Sequence, residues 1–262
     1  MKNFYSPLFF KRGLPEWKRK KDPFLSQFFY RPISFVTSSI FASLGCSANT
    51  VSYLTIIVSF AASAFYFFDS HTMHIWGAIM VNLWLLLDCT DGNIARCVKK
   101  QPFGVFADAT ACYTLIAFIY PAMGYAVYLD GGYFFEAGSM LIVILGSLVS
   151  CSDLLLRLVF HKFREGEIEL NKVRNVKDNW LDEYKPHKQS IKARLIAAVN
   201  PGGYQPVFIL SGTLFYFLDI VLLFCLVIDA VGLIFYLSVY IRKAIKLSKE
   251  YQEIYQKEWL NA

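Results

Sequence analysis

A stretch near the middle of the chain, residues 88–112, carries the side chains best suited to chemistry. It reads DCTDGNIARCVKKQPFGVFADATAC and contains three aspartates and an arginine: Asp88, Asp91, Arg96 and Asp108. Long apolar runs flank it, and an unpaired charge in such surroundings costs on the order of 3 kcal/mol or more. If residues 84–97 are helical, the first two aspartates share one face and Gly92 leaves an opening beside them. The pattern predicts a buried carboxylate site.

A second helix should bring the third carboxylate to the same place. Gly104, Asp108 and Cys112 are spaced four residues apart, which places them on one face of a helix. The short basic loop 98–103 would join the two helices, and the two glycines would let a ligand approach the backbone. Converging carboxylate oxygens suit a hard cation, Mg²⁺ or Mn²⁺, that keeps positions open for phosphate oxygens. We therefore predict a cation site that accepts a diphosphate. A structural polar cluster is the weaker alternative, because buried acids without matching bases need a cation.

These residues resemble the signature of the CDP-alcohol phosphotransferase family. That signature runs D-x-x-D-G-x-x-A-R, then seven or eight residues, then G-x-x-x-D-x-x-x-D. The chain matches it at the following positions: Asp88, Asp91, Gly92, Ala95, Arg96, Gly104 and Asp108. The last acid of the signature is replaced by Cys112. In the family this acid is taken as the base that deprotonates the acceptor hydroxyl and as a further metal contact.

The resemblance implies roles for the matching residues. Asp88, Asp91 and Asp108 would hold the metal, with Asp108 and Cys112 at the catalytic positions. The CDP group would be bound by residues of both helices and by a residue before the first span: Asn49, Asp88, Gly92, Ala95, Arg96 and Gly104. The implied reaction is attack by an acceptor on the β-phosphorus of a CDP-linked donor, CDP-diacylglycerol or a CDP-alcohol, with release of CMP. The resemblance also implies a homodimer and a place in phospholipid, glycolipid or cell-envelope biosynthesis.

Cys112 leaves three interpretations open. The protein could be an enzyme whose acceptor needs no base, such as a lipid phosphate, or one that recruits Asp153 or His161. Cys112 could instead be an engineered change that disables a family member. Third, the chain could bind CDP-lipid and metal without turnover. We favour the first interpretation, in which the acceptor is a lipid, a small alcohol or a phosphate.

Composition predicts an all-α polytopic membrane protein. Hydrophobic residues make up 56% and aromatic residues 17% of the chain, and apolar runs near membrane-spanning length recur. We predict a six-helix transmembrane bundle over residues 50–241, preceded by a cytoplasmic segment, 1–49, that contains an amphipathic interfacial helix at 26–44. The six spans are predicted at 50–68, 74–96, 104–129, 137–160, 205–218 and 220–241. A polar cytoplasmic loop, 161–200, and a C-terminal cytoplasmic helix, 242–262, complete the prediction.

The placement of the 26 lysines and arginines predicts the orientation in the membrane. Alternate loops are either basic or free of Lys and Arg, so by the positive-inside rule both termini and the aspartate site face the cytoplasm. We expect a bacterial inner membrane. The basic N-terminus is interpreted as binding anionic lipid headgroups and not nucleic acid.

Four further expectations concern particular side chains. The six cysteines have neither metal-ligand spacing nor a secreted-type framework, so we expect free thiols. Asn49 is predicted to cap the first span. Asp153 and Arg157, four residues apart, should form a structural ion pair. Asp229, inside the last span, should face the bundle, partnered or neutral.

Overall fold

The computed structural model describes residues 4–173 and 203–260, and within these ranges the protein contains helices and no strands. Three short helices come first: α1 (Pro7–Gly13), α2 (Glu16–Lys21) and α3 (Arg31–Ser43), the last entered through a π-helical turn at Ser26–Tyr30. Six more follow: α4 (Ala48–Phe65), α5 (His71–Cys97), α6 (Gly104–Asp130), α7 (Met140–Val173), α8 (Gln205–Leu214) and α9 (Leu218–Leu260). The prediction of an all-α polytopic membrane protein is confirmed.

Five of the described helices, α4, α5, α6, α7 and α9, are long and apolar enough to span a membrane. The predicted fifth span corresponds to α8, which has only 10 residues and is too short to cross a bilayer alone. The predicted sixth span and C-terminal helix form one continuous helix, α9. Helix α7 continues through residues 161–173, which were predicted to be loop; residues 174–200 of that loop lie outside the described residues.

The N-terminal segment lies against the bundle through a polar face. Arg31, Ser34 and Ser38 of α3 are buried, whereas the apolar side chains of Ile33, Val36 and Ile40 are exposed. Side chains of α3 and α5 hydrogen bond with one another; the amide of Asn93, for example, donates to the Ser34 hydroxyl at 2.9 Å. Such a helix buries its polar side in the protein and presents its apolar side outward, as an interfacial helix does. Gly45, with φ of +84°, follows α3 and ends this helix in the left-handed conformation that glycine readily adopts.

Helices α6 and α7 pack with very little space between their backbones. A Cβ atom added to Gly146 of α7 would overlap the Tyr120 carbonyl oxygen, and one added to Gly124 of α6 would lie 2.8 Å from the Ile142 carbonyl oxygen. Small residues at a helix interface permit this approach, which favours association inside a membrane.

We expect Gly146→Ala to destabilise the protein by about 1–3 kcal/mol, because the new methyl group meets backbone atoms that cannot move aside cheaply. Gly166→Ala on the same helix is a matched control, since a Cβ there has no neighbour within 4 Å. Unfolding of both variants by heat and denaturant in detergent measures the difference. Equal stability of the two variants would contradict the close packing of α6 on α7.

Two predictions about charged residues within the spans can be compared with the structure. The Asp153–Arg157 ion pair is present, with Arg157 Nε 2.8 Å from Asp153 Oδ1. Asp229 is partly buried, and its Oδ2 atom has no hydrogen-bond partner among the described residues. The six cysteines are all free thiols, as predicted.

Candidate functional site

The last turns of α5 and the first turns of α6 bring three carboxylates together. Asp88 and Asp91 come from α5 and Asp108 from α6, and one carboxylate oxygen of each lies within 4.8 Å of the other two. The loop 98–103 makes the reversal, with Phe103 in the left-handed region at φ 57° just before α6 begins. The convergence predicted from the spacing is therefore observed, and we call these residues the aspartate triad.

The members of the aspartate triad differ in their exposure. Asp91 is only 6% exposed, and its Oδ2 atom accepts a hydrogen bond of 2.6 Å from the Ser52 hydroxyl of α4. Asp88 is half-buried and Asp108 is exposed. Three carboxylates this close repel one another strongly unless a cation or protons neutralise them. Their all-oxygen donor set fits Mg²⁺ or Mn²⁺, with Asp108 on the open side.

A cavity of about 470 Å³ opens beside the aspartate triad. Four basic side chains line it together with the three aspartates: Lys18, Arg31, Arg96 and Lys100. Acids that can hold a cation and bases that can contact phosphate thus border one space. Lys18 and Arg31 were not predicted here, because the basic, aromatic N-terminus was interpreted as a lipid-binding segment.

Arg31 joins the N-terminal segment to the helix that carries the first two aspartates. Its guanidinium contacts both carboxylate oxygens of Asp22, with Nε 2.6 Å from Oδ2. It also donates to the Asn93 side chain at 3.0 Å and to the Cys89 carbonyl at 3.3 Å, both in α5. Burial alone would raise the pKa of Asp22, but its hydrogen bonds to Arg31 and the nearby charges of Arg31 and Lys18 lower that pKa below its usual range. Asp22 is therefore an ionised partner of Arg31 at neutral pH.

The predicted capping role of Asn49 is wrong. Ser47 is the N-cap of α4, and its hydroxyl accepts a hydrogen bond from the Thr50 backbone N–H at 3.1 Å. Asn49 lies within the first turn, where its side-chain amide donates to the Pro102 carbonyl at 2.8 Å and so ties α4 to the loop before α6. The amide oxygen is buried without a partner among the described residues, and Asn49 lines the cavity. Such an orphaned acceptor fits a donor group of a bound ligand.

Gly92 provides space for the Arg96 side chain. A Cβ added to Gly92 would lie 2.6 Å from one terminal nitrogen of Arg96, so the guanidinium lies over the glycine. The opening predicted beside the aspartates is thus partly filled by the arginine one turn later. Gly92, Arg96, Ala95 and Gly104 all line the cavity. The structure brings every residue predicted to bind CDP to this one space.

Cys112 is the exception among the predicted site residues. It is partly buried on α6 and does not belong to the described lining of the cavity. It lies within electrostatic range of Asp108 and of the Asp153–Arg157 pair. The neighbouring Tyr113 hydroxyl is 2.6 Å from His161 Nε2, and the Arg157 guanidinium lies 5.7 Å from the centre of the Tyr113 ring. The two residues named as replacement bases, Asp153 and His161, therefore both lie in the α7 surface that borders this part of α6.

The protein is a polytopic membrane protein, since five of its described helices have membrane-spanning length. At one end of the bundle it has a cavity that is lined by converging carboxylates and by basic side chains. A family model described as CDP-alcohol phosphatidyltransferase matches residues 46–176, half of the chain. The chain belongs to the CDP-alcohol phosphatidyltransferase family, which implies transfer of a phosphate-linked group from a CDP-alcohol. A search of curated proteins found no match to the chain.

Proposed function

We propose that the protein is a Mg²⁺-dependent or Mn²⁺-dependent phosphotransferase of the membrane that moves a substituted phosphate from a CDP-linked donor to an acceptor and releases CMP. The observation that carries the proposal is the aspartate triad, whose oxygens lie within 4.8 Å of one another beside a cavity that also contains four basic side chains. The donor is CDP-diacylglycerol or a CDP-alcohol, and the product belongs to phospholipid, glycolipid or cell-envelope synthesis. We also propose a homodimer in a bacterial inner membrane, with the site facing the cytoplasm.

Asp88, Asp91 and Asp108 would hold the cation. When bound, the cation would neutralise the diphosphate and stabilise the phosphate of the leaving CMP. The Ser52 hydroxyl holds one oxygen of Asp91 in place, so this carboxylate is already oriented. Arg96 and Lys100 line the cavity and are available for phosphate oxygens. Lys18 also lines it and is paired with Asp22 at 3.0 Å.

The orphaned oxygen of Asn49 supports binding of a nucleotide in the same cavity. It needs a hydrogen-bond donor, and cytosine and ribose both carry donors, whereas a diphosphate group does not. The other end of the Asn49 amide is fixed on Pro102. We therefore place the cytidine part of the donor near α4 and the diphosphate between Asn49 and the aspartate triad.

The residue at position 112 indicates which chemical class of acceptor the protein uses. A thiol packed against an apolar core, as Cys112 is, is a poor base for an alcohol. An acceptor that is already ionised, such as a lipid phosphate, needs no such base, and Asp153 and His161 are the nearby groups that could serve an alcohol. Cys112 also supports a second candidate function, in which the chain binds CDP-lipid and metal without turnover.

CMP release by the purified protein in lipid tests the proposal. CDP-diacylglycerol and soluble CDP-alcohols serve as donors, and hydroxyl and phosphate acceptors are supplied in parallel, with Mg²⁺ or with a chelator. We expect metal-dependent CMP release, faster with phosphate acceptors. Metal-dependent CDP binding without CMP release from any combination would favour the binding protein instead.

Cys112→Asp, which restores the acid of the family signature, should leave the fold intact and raise turnover with alcohol acceptors. Cys112 is only partly buried, and the positive charge of Arg157 lies within electrostatic range of this position. We expect a gain of about 10²-fold, the lower range of general-base catalysis. Rates with hydroxyl and phosphate acceptors, measured for this variant and for Cys112→Ser, check the prediction. Loss of folded protein in Cys112→Asp alone would identify Cys112 as a packing residue.

A further inference from the structure

Two histidines and an aspartate form a compact group at the end of the bundle opposite the aspartate triad. His71 and His74 lie on the first turn of α5 and Asp130 is the last residue of α6. His71 Nδ1 is 3.1 Å and His74 Nδ1 is 2.9 Å from the same carboxylate oxygen of Asp130. The three ligand atoms lie within 4.8 Å of one another. The connections at this end, residues 66–70, 131–139 and 215–217, contain no Lys or Arg.

The second ring nitrogen of His74 determines what its Nδ1 atom can be. His74 Nε2 is 2.8 Å from the Phe68 carbonyl oxygen, which can only accept, so Nε2 must carry a hydrogen. In a neutral imidazole the lone pair is then on Nδ1 and points at another acceptor, the Asp130 carboxylate. The His74 side chain is 1% exposed, so water does not relieve this contact. A proton or a cation must therefore lie between the ring and the carboxylate.

We propose that His71, His74 and Asp130 bind a divalent transition metal ion, and that Zn²⁺ is the ion their donors fit best. Two imidazole nitrogens and one carboxylate oxygen form a common set of three zinc ligands, with a fourth position left for water or another ligand. Ligand atoms about 2.0 Å from a tetrahedral zinc ion are about 3.3 Å apart, close to the separations seen here. Mg²⁺ prefers oxygen ligands, so the two imidazole nitrogens make it a poor fit for this site.

The surroundings of the group resemble the supporting shell of a metal site. Metal-binding histidines usually donate their other N–H to a carbonyl or carboxylate, and His74 does so to Phe68. Tyr216 stacks on the His71 ring, with 4.2 Å between the ring centres and an angle of 12° between the planes. The cavity at this point has a volume of about 10 Å³, enough for one ion or water and too small for an organic ligand. Metal binding here would fasten the start of α5 to the end of α6.

Zinc binding to the full-length protein in detergent tests the proposal without relying on transferase activity. The protein is stripped with a chelator, supplied with excess Mg²⁺ and titrated with Zn²⁺ against a chromogenic chelator. The same titration of Asp91→Asn measures zinc held at the aspartate triad. We expect one zinc ion per chain that is independent of Asp91, and a loss of at least about 100-fold in its affinity in His74→Ala.

Two further variants test whether the zinc ion is bound by the group of His71, His74 and Asp130. His71→Phe keeps an aromatic ring against Tyr216 while removing a ligand, so it should fold and still lose zinc affinity. Asp69→Asn removes an exposed carboxylate at the same end that is outside the group, and should bind zinc like the unchanged protein. Co²⁺ in place of Zn²⁺ should give the absorption bands of a tetrahedral site. Absence of zinc binding, or equal affinity in His74→Ala, would overturn the proposal and leave a hydrogen bond between His74 and Asp130 without a metal.

Discussion

Asp91→Asn is expected to lower metal-dependent CMP release by about 10²–10³-fold and to abolish metal-dependent binding of CDP. Metal ions supply several kcal/mol of charge stabilisation in phosphoryl transfer, and each 1.4 kcal/mol or so is tenfold in rate. Asp91 is the most buried member of the aspartate triad, and the amide that replaces it is nearly the same size. The change therefore removes charge from the centre of the site and leaves its shape in place.

Two measurements isolate this effect. Equilibrium binding of CDP is compared with and without Mg²⁺, and CMP release is measured with the best donor and acceptor. Ser52→Ala is a graded control, because it keeps the carboxylate and removes only the 2.6 Å hydrogen bond to it; a loss of about tenfold is expected. Unchanged Mg²⁺-dependent CDP binding by Asp91→Asn would refute the assignment of metal to the aspartate triad.

The geometry of the aspartate triad could be predicted because it depends on local periodicity alone. Spacings of three and four residues place side chains on one face of a helix whatever the rest of the fold does. The loop 98–103 has too few residues to do anything except reverse the chain, so Asp108 had to return to the level of Asp88 and Asp91. The roles of these residues in binding and catalysis stay predictions.

The contributions of Lys18 and Arg31 could not be predicted from the sequence, because they depend on how a separate segment docks. A run of lysines beside aromatic residues is typical of membrane surfaces, and its spacing contains no information about α5. A weak signal was available: Asp22 is the first acid after that run, and α3 repeats small polar residues at Ser34 and Ser38. A polar stripe on a helix in an apolar protein indicates contact with another polar surface, here Asn93.

Two other features could not be predicted from the sequence: the role of Asn49 and the group formed by His71, His74 and Asp130. Asn49 and Ser47 are both good capping residues two positions apart, and only the position of the loop at Pro102 decided which of them would cap α4. His71 and His74 were visible as a pair three residues apart. Their partner Asp130 is more than 50 residues away, so the group could be recognised only after α5 and α6 were placed side by side.

Arg31→Met is expected to give the largest loss of stability, about 3 kcal/mol, because the buried carboxylate of Asp22 loses its guanidinium partner and keeps the partly exposed Lys18, 3.0 Å away. The side chains of Asp22 and Arg31 are 3% and 7% exposed, and the Cys89 carbonyl and the Asn93 side chain lose a donor as well. Arg12→Met, at an exposed arginine of α1, is the matched control and should change stability by less than about 0.5 kcal/mol. Thermal and denaturant unfolding in detergent measure both variants.

The double variant Asp22→Asn/Arg31→Met should recover much of the lost stability, because the buried carboxylate is removed together with its guanidinium partner and Lys18, which remains, is 25% exposed. The pH dependence provides an independent check. The pKa of Asp22 is lowered in the folded protein, so its contribution to stability is present above the ordinary aspartate pKa of about 4 and is lost as the pH falls through the lowered value. The Asp22→Asn variant should therefore lose less stability than the unchanged protein between neutral pH and pH values below about 4. An unchanged unfolding profile in Arg31→Met at neutral pH would show that the N-terminal segment is held to α5 by its other contacts.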